Sequence, residues 1–394
     1  MDILIFILIL SFLVIIHELG HFLLAKKFKV KVKEFGLGYP PKICQLFKYQ
    51  ETAFTLNAIP IGGFVNLSGE NAEEKELKKT EQFYHKKPQE RLIIILGGII
   101  VNFIFGIIIF CFIPMLQGIP ENLSGVFIGS VMDKSPASQA ITSSVFLNNQ
   151  NIKLSSELTN QYQGMQAESK LLKIKSADDS QEIIIDSIDQ AKEIVANNRG
   201  KKIFITTQIC PNFQCQDIIL EQETYIRTEM ETPPGEGALG IRFQETYLKK
   251  YPFYQMPFRG LYFGIKESFN FAYMIIQALS KVFGDLIFKQ EIPKEVAGPI
   301  GIIYEIKKVG LFDEGFLSIL FFSGVLSLNL AVMNLLPIPA LDGGRAFFIF
   351  LELIFGRKKI EKIEFYANYF GLFFLLGLTI LVTFNDIKKV FKGN

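Results

Sequence analysis

Histidine is scarce in this chain: 394 residues contain three, so a site built on imidazole has almost no spare members. Net charge is also small, at +2, which excludes the basic surface of a nucleic-acid binder and the one-sided charge of a disordered acidic chain. None of the four cysteines stands in a CxxC pair, so redox and zinc-ribbon motifs are absent. Positive charge is missing ahead of the first apolar run, which starts at Ile3 directly after Met1-Asp2, and no small-residue cleavage site lies before Lys26. A cleavable signal peptide is therefore not expected.

What the chain has is hydrophobic length. Mean hydropathy is positive, and the apolar windows 3–25, 92–116, 317–336 and 365–384 each approach the ~20 residues that a spanning helix needs. A polytopic α-helical membrane protein with about four transmembrane helices is expected, its first partner being the lipid bilayer. Lys26, Lys27, Lys29, Lys31 and Lys33 follow the first window, Lys86, Lys87 and Arg91 precede the second, and Arg357, Lys358, Lys359 and Lys362 separate the last two. The positive-inside rule makes these segments cytoplasmic, with both termini and the long region 117–316 outside an inner membrane. Lys388, Lys389 and Lys392 run against that bias.

Two of the three histidines fall in His17-Glu18-Leu19-Gly20-His21, inside the first window. On a helix, imidazoles at i and i+4 share a face and can hold one Zn²⁺, with the intervening glutamate as a base. Ionisable groups in hydrocarbon are costly unless they coordinate something, which turns a common pattern into a specific one. His85 lies in a charged stretch, so the third ligand is expected to be a carboxylate. The third window ends at the same depth as the first, and there Asn334-Leu-Leu-Pro-Ile-Pro-Ala-Leu-Asp342-Gly343-Gly344 puts an aspartate in a Pro- and Gly-broken apolar segment. Asp342 is read as that ligand, capping of the next helix being its competing role.

Residues 34–70 read as membrane-associated β-structure, with strands at 43–49, 53–59 and 61–65. Its edge near Gly62, Gly63, Phe64, Val65 and Asn66 suits binding of an extended peptide by strand addition. The exported region reads as a small α/β domain: a strand at 125–131, a helix start at Ser135-Pro-Ala137, strands at 182–185 and 200–206, a helix at 188–197, and closure by 232–241. Cys210 and Cys215 are either bonded or free. Residues 257–288 suggest an amphipathic helix on the outer membrane surface. The boundaries drawn are 1–116, 117–256, 257–312 and 313–394. Asn102, after Gly97 and Gly98, is read as an interhelical contact.

Together HELGH, LDGG after NLLPIP, GGFVNLSGE, LGGIIVNF and VAGPIGI resemble the bacterial site-2 protease family of intramembrane zinc metalloproteases, over nearly the full chain. The resemblance implies His17, His21 and Asp342 as zinc ligands, Glu18 as catalytic base and Asn334 as a substrate contact. It implies a PDZ-like extracytoplasmic domain, a membrane-associated β-hairpin or sheet, and substrates that are membrane proteins with a transmembrane segment, such as anti-sigma factors or remnant signal peptides. The usual PDZ loop is replaced around 143–152, and a polar insertion, 153–168, follows. Two alternatives stay open: a multi-span zinc protease of prenylated peptides, which would take a glutamate ligand, and a non-enzymatic scaffold whose PDZ-like domain binds partners.

Overall fold

The computed structural model describes residues 2–70, 77–147, 150–152, 162–176, 182–233, 235–285, 288 and 298–392. In chain order these form α1 (Asp2–Lys27), β1 (Val32–Tyr49), β2 (Thr52–Leu67), α2 (Pro88–Gln117), β3 (Ile119–Val131), β4 (Ile141–Leu147), β5 (Gln150–Ile152), β6 (Ser169–Ser176), β7 (Glu182–Ile184), α3 (Ile188–Asn197), β8 (Lys202–Ile209), β9 (Ile218–Tyr225), β10 (Ile241–Lys249), α4 (Met256–Gly284), α5 (Pro299–Val309), α6 (Phe316–Leu335), α7 (Asp342–Phe355) and α8 (Arg357–Lys392). Two compact units result, Met1–Leu116 with Pro252–Asn394, and Gln117–Tyr251.

The first unit contains four helices long and apolar enough to cross a membrane: α1, α2, α6 and α8. Small residues decide where they meet. A Cβ on Gly20 would lie 2.3 Å from the Gly97 carbonyl oxygen, and one on Gly97 2.7 Å from that of Gly20, so α1 and α2 touch backbone to backbone. Further along α2, Gly106 faces Leu328 of α6, and Gly324 of α6 faces Ile109. The Ser327 hydroxyl donates to the Asn102 carbonyl at 2.8 Å across the same contact. Phe6, Ile9 and Leu13 of α1 pack against Ile306 and Phe312. The Asp386 carboxylate of α8 accepts the Gly298 and Gly301 N–H groups, both at 2.9 Å, and so fixes the start of α5.

α4 packs lengthwise and antiparallel on α2: Gly260 meets Met115, Gly264 meets Cys111, and the Phe103 and Phe269 rings stand 5.3 Å apart. At the other end of α2, Arg91 donates to Glu352 at 2.5 Å. Both side chains are nearly buried, so removing Glu352 would leave the Arg91 charge without this partner at a cost of about 3–5 kcal/mol, whereas Glu352 also faces Arg357 at 3.9 Å.

The β region is more folded than three consecutive strands. Residues 52–57 pair with 42–49 on one side and with 34–37 on the other, and 34–37 pair in turn with 63–66. Two long arms therefore make four strands in the order 42–49, 52–57, 32–37, 63–67, the outer pairs antiparallel and the central pair, 34–37 with 53–56, in parallel register. Strand 61–65 was expected, but not that it would return to the first arm. Between the sheet and α2, residues 79–81 and 83–85 form single 3₁₀ turns; the rest of the charged linker, 71–76, lies outside the described residues.

The second unit is one antiparallel sheet, β10-β3-β6-β8-β9-β4-β5, with β7 paired to β6. Its core gathers Val126, Ile128, Leu171, Ile174, Ile203 and Ile205, covered by α3 through Ala191 with Ile188, Ile194 and Val195 at helical spacing. Ser187 caps α3 by accepting from the Gln190 N–H. The expected alternation of strands with two helices is corrected here. Ser135-Pro-Ala137 is a turn, held by Ser138 N–H to the Ser135 hydroxyl, with Gly240 packed on Ser135. Where the usual PDZ loop is replaced, 143–147 lie in β4 and 150–152 form β5, paired with it, with 148–149 outside the described residues. Of the insertion 153–168, residues 153–161 lie outside them too. Nor does 232–241 close the unit, because Ile241 opens β10, which runs back along β3. Tyr251 and Lys249 both donate to Glu121 on β3, holding its carboxyl below the usual range. Cys210 and Cys215 are bonded to each other.

Candidate metal centre

His17 and His21 project from one face of α1, and the first turn of α7 brings a third group to them. The His17 Nε2 lies 2.8 Å from Asp342 Oδ2, the His21 Nε2 3.2 Å from the same oxygen, and the two Nε2 atoms are 3.2 Å apart. Two imidazoles and a carboxylate, 325 positions apart in the chain, thus converge on one point. Asp342 does not act as a cap: it is the first residue of α7, whose cap position is Leu341 with no side-chain bond.

The outer nitrogens show that this donor set fits zinc. His21 Nδ1 stands 2.9 Å from the Ile94 carbonyl, so it donates there and leaves the Nε2 lone pair free. His17 Nδ1 faces the Asn102 amide, with Nδ2 at 3.4 Å and the fully buried Oδ1 without a partner. Turned end for end, the amide offers Oδ1 to the His17 Nδ1–H, which leaves the His17 Nε2 lone pair free. A His₂-carboxylate set with oriented imidazoles is chemically suited to zinc and would keep a position for water. Sequence reasoning assigned Asn102 to helix packing alone; its place four residues after Gly98 on the glycine face of α2 was the available signal.

Gly98 is the floor of the site. A Cβ there would fall 2.6 Å from His17 Nε2 and 2.7 Å from His21 Nε2. The Gly98→Ala protein is expected to fold while its zinc content falls and cleavage drops by about 10- to 100-fold, the scale of the loss when groups that orient metal ligands are disturbed. Metal analysis beside a cleavage assay checks this, and wild-type values in both would remove the glycine from the site.

Asp342 is delivered by a sharply folded loop. Cβ atoms on Gly343 and Gly344 would lie 2.3 Å from the Leu335 carbonyl oxygen and 2.2 Å from that of Ile338, so the LDGG glycines are required by the backbone that passes over them. Next to the cluster is a cavity of about 180 Å³ lined by Glu18, His21, Asp342, Tyr39, Gly63, Phe64, Val65, Leu67, Glu70, Phe83, Ile94, Ile95 and Arg345. Glu18 opens into it beside Gly63.

Three of the five edge residues singled out from sequence, Gly63, Phe64 and Val65, form part of this wall. Gly62 is buried under the Tyr39 ring with φ +79°, and Asn66 is exposed opposite Glu34. Asn334 sits half-buried in the last turn of α6, outside the lining. Tyr39, Glu70 and Arg345 were not anticipated. Arg345 pairs with Glu70 at 2.5 Å and lies three residues after Asp342, the spacing that could have found it.

Residues 5–378 match the model of peptidase family M50. Zinc metalloprotease RasP of Oceanobacillus iheyensis is 26% identical, with 98% of each chain covered. Proteins that carry zinc metalloprotease as a provisional name are similar as well: one from Fusobacterium nucleatum is 29% identical over 100% of both chains, and one from Clostridium acetobutylicum is 28% identical over 98% of this chain and 97% of the relative.

Proposed function

The chain belongs to peptidase family M50, is a multi-pass membrane zinc metalloendopeptidase of the site-2 protease type, and from that premise we propose that it hydrolyses peptide bonds within transmembrane segments of other membrane proteins. The observation that carries this reading is the position of His17, Glu18 and His21 inside the apolar 26-residue helix α1. A soluble peptide has no reason to be cut there.

His17, His21 and Asp342 hold the zinc and Glu18 is the base. Zinc, when bound, supplies the positive charge that polarises the scissile carbonyl and acidifies a water. Glu18 takes the proton of the attacking water on its carboxylate and returns it to the leaving amine nitrogen. The 63–67 strand has no second neighbour among the described strands, so its outer edge is free to hold an unwound substrate as an added strand along Gly62, Gly63, Phe64, Val65 and Asn66. Asn334 offers amide donors and acceptors to the same chain. The second unit takes the PDZ-like place, outside the cytoplasm; the Cys210–Cys215 bond, which needs an oxidising compartment, supports that side, as do the lysine clusters beside α1 and α2. Substrates of the expected kind are anti-sigma factors already clipped outside, or remnant signal peptides.

The test is reconstitution into liposomes with a single-span model substrate whose fragments are mapped by mass spectrometry. A cut inside the apolar segment is expected. Cuts confined to flanking soluble residues would refute an intramembrane activity.

A further inference from the structure

The loop 336–341 that carries Asp342 to the imidazoles cannot hold itself. Pro337 and Pro339 have no N–H to give, and Ala340 adopts φ +74°, a left-handed conformation that is unfavourable for a residue with a Cβ. Within the loop the Ile338 N–H bonds the Leu336 carbonyl, and the Leu341 N–H bonds that of Ile338. The Ala340 N–H instead leaves the loop: it donates to the Asn368 Oδ1 of α8 at 3.0 Å. One turn on, Gly371 of the same helix presses on Pro339, where a Cβ would lie 2.6 Å from the carbonyl oxygen. Two residues of α8, 26 and 29 positions after Asp342, therefore grip the strained turn from outside.

From this geometry we propose that Asn368 is a positioning residue for the metal centre, acting through Ala340 to fix the Asp342 carboxylate opposite His17 and His21, with Gly371 giving α8 its close approach. The proposal rests on the reading of Asp342 as a zinc ligand. Asn368 touches neither the metal cluster nor the cavity; its effect is on where the third ligand stands. An aspartate at 368 keeps the acceptor oxygen, whereas leucine keeps the volume and loses it.

Zinc affinity of the purified full-length protein, measured by competition with a chelator, separates this from a packing role, with kcat and KM read alongside. Asn368→Leu is expected to weaken zinc binding by about 10- to 100-fold and to lower kcat with KM unchanged, and Asn368→Asp to stay within about threefold of wild type. Asn368→Ser, which is gentler on packing and too short to reach Ala340, carries the same expectation should the leucine variant not fold. Serine and leucine variants that bind zinc as wild type does, even with a lowered melting temperature, overturn the proposal, as does an aspartate variant as weak as leucine. If Asp342→Asn leaves zinc affinity intact, the ligand reading itself falls and this proposal with it; if Asp342→Asn loses zinc while the Asn368 variants keep it, the positioning role alone is wrong.

Discussion

Glu18→Gln is expected to lower cleavage by about 10²- to 10⁴-fold, the range that a positioned general base contributes, while the protein still purifies with its zinc. The expectation follows from the separation of roles in the site. The atoms that converge on one point belong to His17, His21 and Asp342, and the Glu18 carboxyl is not among them. It opens instead into the cavity beside Gly63, where a substrate carbonyl would have to arrive. Glutamine keeps the size and much of the hydrogen bonding of that side chain and cannot take a proton. Turnover of a model transmembrane substrate, measured with zinc content on the same preparation, decides the matter: wild-type turnover would remove Glu18 from the chemistry, and lost zinc would make it a ligand instead.

Asp342→Asn is expected to lose zinc and activity together, with affinity down by at least about 100-fold, the upper end of what outer partners alone cost. Its oxygen is the atom that both imidazoles address, and a neutral amide is a poorer donor that leaves an uncompensated positive charge in a low-dielectric setting. Folding should be spared. Asparagine suits a helix start as well as aspartate does, and no cap bond is lost because none exists. Elemental analysis on the variant, set beside its thermal melt, would end the ligand assignment if it returned a full zinc complement.

How much of this was readable from residues alone depends on the range over which each feature is determined. The four long helices follow from apolar length, and the pairing of His17 with His21 from helical period, both local properties. Asp342 was reachable because depth in a bilayer converts position along a helix into position in space. Asn102 left only a partial signal in its place after Gly98, since its approach to His17 depends on Gly20 and Gly97 touching, a fact about two helices at once. The four-stranded sheet was hidden: residues 34–37 pair on both sides only because the chain reverses between Leu37 and Lys42 to run down the far side of 52–57. In the second unit, β4, β9 and β10 mix Ser, Thr, Gln and Glu into their alternation, as in Ile218–Tyr225, and such strands look like loops until a partner supplies the other half of the pattern.

The backbone contact between Gly20 and Gly97 also says where the gene can tolerate a change of length. One residue added between His17 and Gly20 would swing the His17 imidazole about 100° around α1 relative to the crossing and to His21, and one added between Gly97 and Asn102 would turn the amide away from His17. Neither window has slack. Loops of the second unit, by contrast, connect strands whose pairing does not pass through the crossing, and residues can be gained or lost there without moving a ligand. Length variation among chains built on this plan should therefore gather in that unit and vanish from two stretches of a few residues each, one on α1 and one on α2.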